Sequence, residues 1–220
     1  MKYKYILFDL DGTITEPFQG ISNGIIYALD KFNIRVENKS TLRKFIGPPL
    51  RDSFRDFCGF SDEQAEEATA YYREYYGVKG LEENDIMPGM DRALKALYNQ
   101  GYKLYLATSK PEKFAKIILE NLGLLQYFDI AAGASFDGTR DKKELVIDYL
   151  LEQIKDKYAD FDIAQAVMVG DRHFDINGAK YFGMDSIGVT FGYGDREELS
   201  RAGANYVVDT AEEMVKVIVE

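Results

Sequence analysis

Asp9 and Asp11 stand two residues apart just after the apolar stretch Tyr5-Ile6-Leu7-Phe8, and Gly12 and Thr13 follow them. On a strand that spacing puts both carboxylates on one face. Burying them at a strand end is costly unless a cation or hydrogen-bond donors compensate. Gly12 lets the backbone turn sharply and would leave its N–H accessible to an anion. Such a cluster suits metal-assisted attack on phosphorus. The same residues also describe a plain Asp-Gly turn, so their neighbours in space decide the matter.

Three further polar clusters have the position that such neighbours need. Thr108, Ser109 and Lys110 come directly after the apolar run ending at Ala107, and Gly170, Asp171 and Asp175 come after Ala166-Val167-Met168-Val169. Lys142 and Lys143 open a helical segment between them. Taken singly, Thr108-Ser109 and Asp171 read as helix caps and the lysines as solvated charge. Taken together, they lie where a doubly wound sheet gathers its active site, at the ends of successive strands.

The elements that must hold them alternate. Strands are predicted at 102–108, 128–132, 166–170, 186–190 and 206–208, and helices at about 111–122, 142–155, 174–182 and 211–219. The run at 166–170 is apolar throughout, as a parallel strand buried on both faces requires. This alternation gives an α/β, Rossmann-like doubly wound sheet, mostly parallel, with helices on both faces. Residues 17–83 break the rhythm, offering helical patches at 20–32, 40–45, 50–58 and 62–76 but no buried strand. They form a small α-helical cap inserted into a core of 1–16 and 84–220, with hinges near 16–19 and 80–85.

Composition narrows the function. At 220 residues, with 46% hydrophobic and 29% charged, the chain is an ordinary globular protein. A net charge of −10 disfavours nucleic-acid polymers and anionic membranes, and places the burden of binding a phosphate on local cations. No membrane span or signal peptide is read from the sequence, and Cys58 is the only cysteine. A disulfide within the chain is thereby excluded, and a reducing cytoplasm is the expected location.

These clusters, in this order, resemble the four motifs of the haloacid-dehalogenase-like hydrolases: Asp9-Leu10-Asp11-Gly12-Thr13, Thr108, a lysine at 142–143, and Gly170-Asp171 with Asp175. The stretch Thr108-Ser109-Lys110-Pro111 and the position of the cap are similar to the phosphoglycolate-phosphatase-like branch. The resemblance implies a phosphatase of small phosphate monoesters. Asp9 would be the nucleophile that carries an aspartyl-phosphate, and Asp11 the general acid and then base. Gly12, Thr108, Ser109 and Lys143 would hold the phosphoryl group. Adjacent helix positions point about 100° apart, so only one of Lys142 and Lys143 can face the site, and the Leu145-Val146-Ile147 pattern of the relatives favours Lys143. Mg²⁺ would be held by Asp9, the main-chain carbonyl of Asp11 and Asp171, while Asp175 orients the lysine or a metal-bound water. Arg51, after the rigid Gly47-Pro48-Pro49 turn, is a candidate second anion anchor in the cap.

Other conspicuous residues carry plainer readings. His173 is expected to be a loop side chain beside the site, Cys58 cap packing, and Tyr71, Tyr72, Tyr75 and Tyr76 a helix-packing face. The substrate is expected to be a small-molecule phosphate ester and the protein a monomer or homodimer. Competing functions are a 5'-nucleotidase or pyrophosphatase of the same branch, a phosphomutase using the same phosphoenzyme, and a non-catalytic phosphate-binding protein. Dehalogenation is disfavoured, because a halide leaving group does not need the acid that Asp11 supplies.

Overall fold

In the computed structural model, which describes residues 2–220, the chain divides into two units. One comprises the residues up to Glu16 together with Ile86–Glu220, and the other is Pro17–Asp85.

The first unit is built on strands buried on both faces. In β1 (Tyr5–Phe8) all four side chains are buried. The two-residue strands β2 (Thr15–Glu16) and β3 (Asp85–Ile86) mark where the chain leaves for the second unit and returns. The remaining strands are β4 (Lys103–Pro111), β5 (Phe128–Ala134), β6 (Ala166–Gly170), β7 (Asp185–Val189) and β8 (Tyr206–Val208). They form one sheet in the order β5-β4-β1-β6-β7-β8, with every neighbouring pair parallel. The helices of this unit are α4 (Met90–Asn99), α5 (Glu112–Asn121), α6 (Lys143–Lys157), α7 (His173–Tyr181), α8 (Arg196–Ala202) and α9 (Ala211–Val219). On one face Tyr5, Leu7, Tyr105 and Met168 pack against Val146, Leu150 and Ile154 of α6 and Ala179 of α7.

After β1 the sheet grows outward through β4 and β5, then returns to place β6 on the other side of β1. That reversal opens a crevice beyond the carboxyl ends of β1 and β6, where ligands bind in open α/β sheets. Asp9 follows β1 directly and Asp171 follows β6 directly.

The strand expected at 102–108 runs on to Pro111, and α5 begins only at Glu112. The extension is irregular: the pairing with β5 shifts register between Thr108 and Pro111. The Lys110 N–H donates to the Thr108 hydroxyl oxygen at 3.2 Å, a local bond in place of a ladder bond. Helices α4 and α8 are not among the elements expected from the sequence, and the seven residues of α8 hold too few turns to show a period.

The second unit is helical: α1 (Phe18–Lys31), a 3-10 segment (Lys39–Phe45), α2 (Leu50–Cys58), α3 (Asp62–Tyr75) and a π-helical turn (Tyr76–Gly80). Ser61 and Gln64 form a reciprocal capping box that starts α3. Its interior is aromatic. Phe45 meets Phe54 edge-on, and Tyr72 stacks on Tyr76 at 5.1 Å between ring centres. Tyr72 and Tyr76 are buried, so they are packing residues of this unit. Among the described residues, no helix is long and apolar enough to cross a membrane.

Candidate active site

Lys143 ties the site together. It is the first residue of α6, and its ammonium is buried against Asp9 Oδ1 at 2.8 Å, Asp175 Oδ1 at 2.7 Å and the Ala107 carbonyl at 2.8 Å. Two of its N–H groups donate, to Asp9 just after β1 and to the Ala107 carbonyl on β4, while Asp175 on α7 is an ion-pair partner. Burial opposes the charged form, but Asp175 and Asp9 outweigh it and hold the lysine above its ordinary pKa. Lys142, one residue earlier, is the exposed N-cap of the same helix.

Asp9 is anchored by its own N–H, which donates to Val169 O at 2.9 Å and continues the β1–β6 pairing. Asp171 is fully buried, and its Oδ2 accepts the Tyr193 N–H at 2.7 Å. Burial, then the charges of Asp175 and Asp9, pushes the Asp171 carboxyl well above the usual carboxylate range. Asp175 accepts the Arg172 N–H at 3.1 Å on the oxygen that Lys143 does not use. Burial lifts it to about 6, against the pull of Lys143. Asp9, Asp171 and Asp175 each bring a carboxylate oxygen into a group whose members all lie within 4.8 Å of one another. Three carboxylates against one ammonium leave a deficit of two positive charges, and the donors are hard oxygens. That set fits a divalent cation such as Mg²⁺.

The Asp11 carboxylate takes no part in this group. Its Oδ2 meets Lys110 Nζ at 2.6 Å, and Thr15 Oγ1 reaches its Oδ1 at 3.4 Å. Burial raises its pKa, with Lys110 working in the opposite direction. Its expected place among metal ligands therefore concerns its main-chain carbonyl alone. Thr108 is buried at the end of β4, and Ser109 beside it is half-buried.

One expectation is overturned. The Gly12 N–H is not available to an anion, because it donates to Thr15 O at 2.7 Å within the turn. The glycine is required for a different reason: its φ is +88°, and a Cβ there would lie 2.2 Å from Asp171 Oδ2. Gly12→Ala is expected to cost about 2 kcal/mol or more of stability, through strain and overpacking. It should also weaken Mg²⁺ binding by displacing Asp171, which calorimetry with the metal alone would measure.

Arg51 lies half-exposed on α2, with Glu66 of α3 as its partner at 3.6 Å. His173 begins α7, and its Nδ1 lies 2.7 Å from Glu198, which also accepts from Arg172 Nε at 2.9 Å. The histidine is thus engaged on the α8 side, outside the carboxylate group.

Two contributors were missed by the sequence reading. Lys110 was noted but given no role. The loop after β7, Phe191-Gly192-Tyr193-Gly194, was not noted at all. It packs on Asp171 so closely that a Cβ at Gly194 would lie 2.1 Å from the Asp171 carbonyl oxygen. The phenol of Tyr193 donates to Glu16. A Gly-Tyr-Gly sequence between a strand and a helix was the available signal.

A family model described as haloacid dehalogenase-like hydrolase matches residues 6–189. A 5'-nucleotidase from Pseudomonas aeruginosa is 38% identical, over 96% of this chain and 94% of that protein. The tyrosine-protein kinase PtkA from Mycobacterium tuberculosis is 34% identical, over 94% of this chain and 68% of that protein. Among solved structures, that of a predicted phosphatase from Clostridium acetobutylicum is 44% identical with a TM-score of 0.93, covering 100% of this chain and 99% of that one.

Proposed function

This chain belongs to the haloacid dehalogenase-like hydrolases and is a phosphatase, and we propose that it cleaves small phosphate monoesters through an aspartyl-phosphate on Asp9, with Mg²⁺. The observation that carries this reading is the buried Lys143 bound to both Asp9 and Asp175, with Asp171 in the same group of carboxylates.

An Asp9 oxygen attacks phosphorus in line, and the bond to the ester oxygen breaks. Asp11 gives its proton to the departing alkoxide, then removes one from the water that attacks the phosphorylated Asp9. Inorganic phosphate leaves and the carboxylate is restored. Lys143 contributes fixed positive charge, held by hydrogen bonds to Asp9 and the Ala107 carbonyl and by its ion pair with Asp175. Thr108 offers a hydroxyl to the phosphoryl oxygens, with Ser109 beside it. Asp9, Asp171 and the Asp11 carbonyl would hold Mg²⁺, with Asp175 setting the position of Lys143. When bound, the ion neutralises charge on the phosphoryl group as a Lewis acid.

The second unit serves as a cap that sets specificity, with Arg51 its candidate anion anchor. A small soluble metabolite and a cytoplasmic setting fit this arrangement. Phosphate release should be measured across 5'-nucleotides, phosphoglycolate, sugar phosphates and pyrophosphate, with Mg²⁺ and with chelator. Release with a marked preference among the esters, abolished by chelator, is expected. Isomerised sugar phosphate without net release would make the protein a mutase. Binding without turnover of any ester would make it a sensor, and transfer to a tyrosyl peptide a kinase.

A further inference from the structure

Lys110 has no role in the mechanism above, yet its ammonium is buried and holds one chosen oxygen of Asp11. The side chain is 5% exposed, against 16% for Asp11, and Nζ lies 2.6 Å from Oδ2. The backbone that delivers it is unusual as well. Between Thr108 and Pro111 the ladder with β5 slips, and the Lys110 N–H turns to the Thr108 hydroxyl oxygen. Strand β4 lies beside β1, the strand that Asp11 follows by three residues.

A carboxyl group has two oxygens, and only the one bearing the proton can act as the acid. An ammonium donates and cannot accept, so the oxygen it holds is the carbonyl-type oxygen of the protonated acid. Holding Oδ2 leaves Oδ1 to carry the proton; the Thr15 hydroxyl, which donates to Oδ1 at 3.4 Å, also has the Leu10 carbonyl at 3.3 Å as an acceptor when Oδ1 is protonated. From this geometry we infer that Lys110 is a positioning residue for Asp11, fixing the carboxyl by Oδ2 so that proton transfer to and from the reacting oxygens runs through Oδ1. This rests on the acid–base role proposed for Asp11. It adds a residue to that reaction and says which atom carries the proton.

The test compares leaving groups. An alkoxide needs the acid, whereas p-nitrophenolate departs without a proton. Lys110→Met and Lys110→Arg would be assayed in the full-length protein with Mg²⁺. The readouts are the single-turnover rate on an alkyl phosphate, the p-nitrophenolate burst and steady-state turnover. For Lys110→Met, alkyl ester cleavage and steady-state turnover should each fall about a hundredfold, the scale of general acid–base catalysis. The nitrophenolate burst rate and kcat/KM for that ester should stay within about threefold, with KM falling alongside kcat, because attack by Asp9 on a good leaving group needs no help from Asp11. Lys110→Arg keeps a donor to Oδ2 and should recover part of the alkyl ester rate. A burst that falls as far as the alkyl ester rate would show a general structural or charge role and overturn the inference, as would full activity of Lys110→Met on both esters. If the parent itself shows no burst and no turnover on either ester, the phosphatase mechanism fails before Lys110 is in question.

Discussion

Asp9→Asn abolishes turnover, by about ten-thousandfold or more as expected for loss of a nucleophile, and leaves the fold intact. The amide keeps the shape of the carboxylate, so its oxygen can still accept the Lys143 N–H that now reaches Asp9 at 2.8 Å. Lys143 also keeps Asp175 as a charged partner at 2.7 Å, so no buried ammonium is left unpaired. One negative charge disappears from a group of three, which relieves repulsion. Phosphate release with Mg²⁺ and a thermal melt on the same preparation would check both halves. Substantial metal-dependent turnover in the variant would disprove the nucleophile assignment. Asp11→Asn should lose at least about a hundredfold, since the amide can neither give nor take the proton.

Asp171→Asn should stabilise the metal-free protein while abolishing its response to Mg²⁺. Asp171 is fully buried beside Asp9 and Asp175, and the carboxyl is held well above its ordinary pKa by burial and by those charges. An amide oxygen can still accept the Tyr193 N–H, and its NH₂ would donate where a charge was repelled. The gain is expected to be about 1–3 kcal/mol, the scale found when a strained buried charge is replaced by a neutral group of similar volume.

The sign with pH follows from the same groups. An acid whose pKa is raised on folding adds stability below its unfolded value, and that stability is lost as pH rises through the folded value. For Asp175 the window runs from 3.8 to about 6, and for Asp171 it extends upward from the same start. Asp129, Asp185 and Asp209 are lowered on folding and act in the opposite sense, but their change is complete near the ordinary carboxylate value. In chelator, the parent should therefore be more stable near pH 5 than near pH 8 in urea melts. The variant should show a shallower dependence, and Mg²⁺ should restore the parent at pH 8 by mass action. Equal slopes for the two proteins would remove Asp171 from this account.

The sheet was legible because its strands obey simple rules. Ala166–Gly170 is apolar throughout and buried throughout, and the span read from the sequence matches the strand. Asp171 and Asp175 were legible for the same reason, since a polar residue after such a run has few places to go. Helix geometry allows only one of Lys142 and Lys143 to face the site, and the resemblance to the family favoured Lys143, the one that reaches Asp9. What escaped depends on irregular backbone. Pro111 suggested that the strand stops early, and this hid the slip that delivers Lys110 to Asp11. The Gly12 N–H looked available because a sequence shows that a turn forms but not which acceptor closes it, here Thr15 O. Asp11 lies in the same motif as Asp9, yet its carboxylate pairs elsewhere, because partners on another strand are invisible to local spacing.

The central place of β1 has a consequence for how the chain is made. Tyr5 pairs with Lys103 on one side and Ala166 on the other, so β1 waits through a longer stretch of synthesis for its second neighbour than any other interior strand of the sheet. Until β4 is made it is an apolar segment with two open edges, and until β6 is made one edge stays open, the kind of segment that chaperones hold and aggregates recruit. The helical unit lies wholly between β1 and its partners in sequence and has its own aromatic interior. Folding early, it would draw Glu16 and Ile86 together and shorten the loop that β1 must close, which lowers the entropic barrier to completing the sheet.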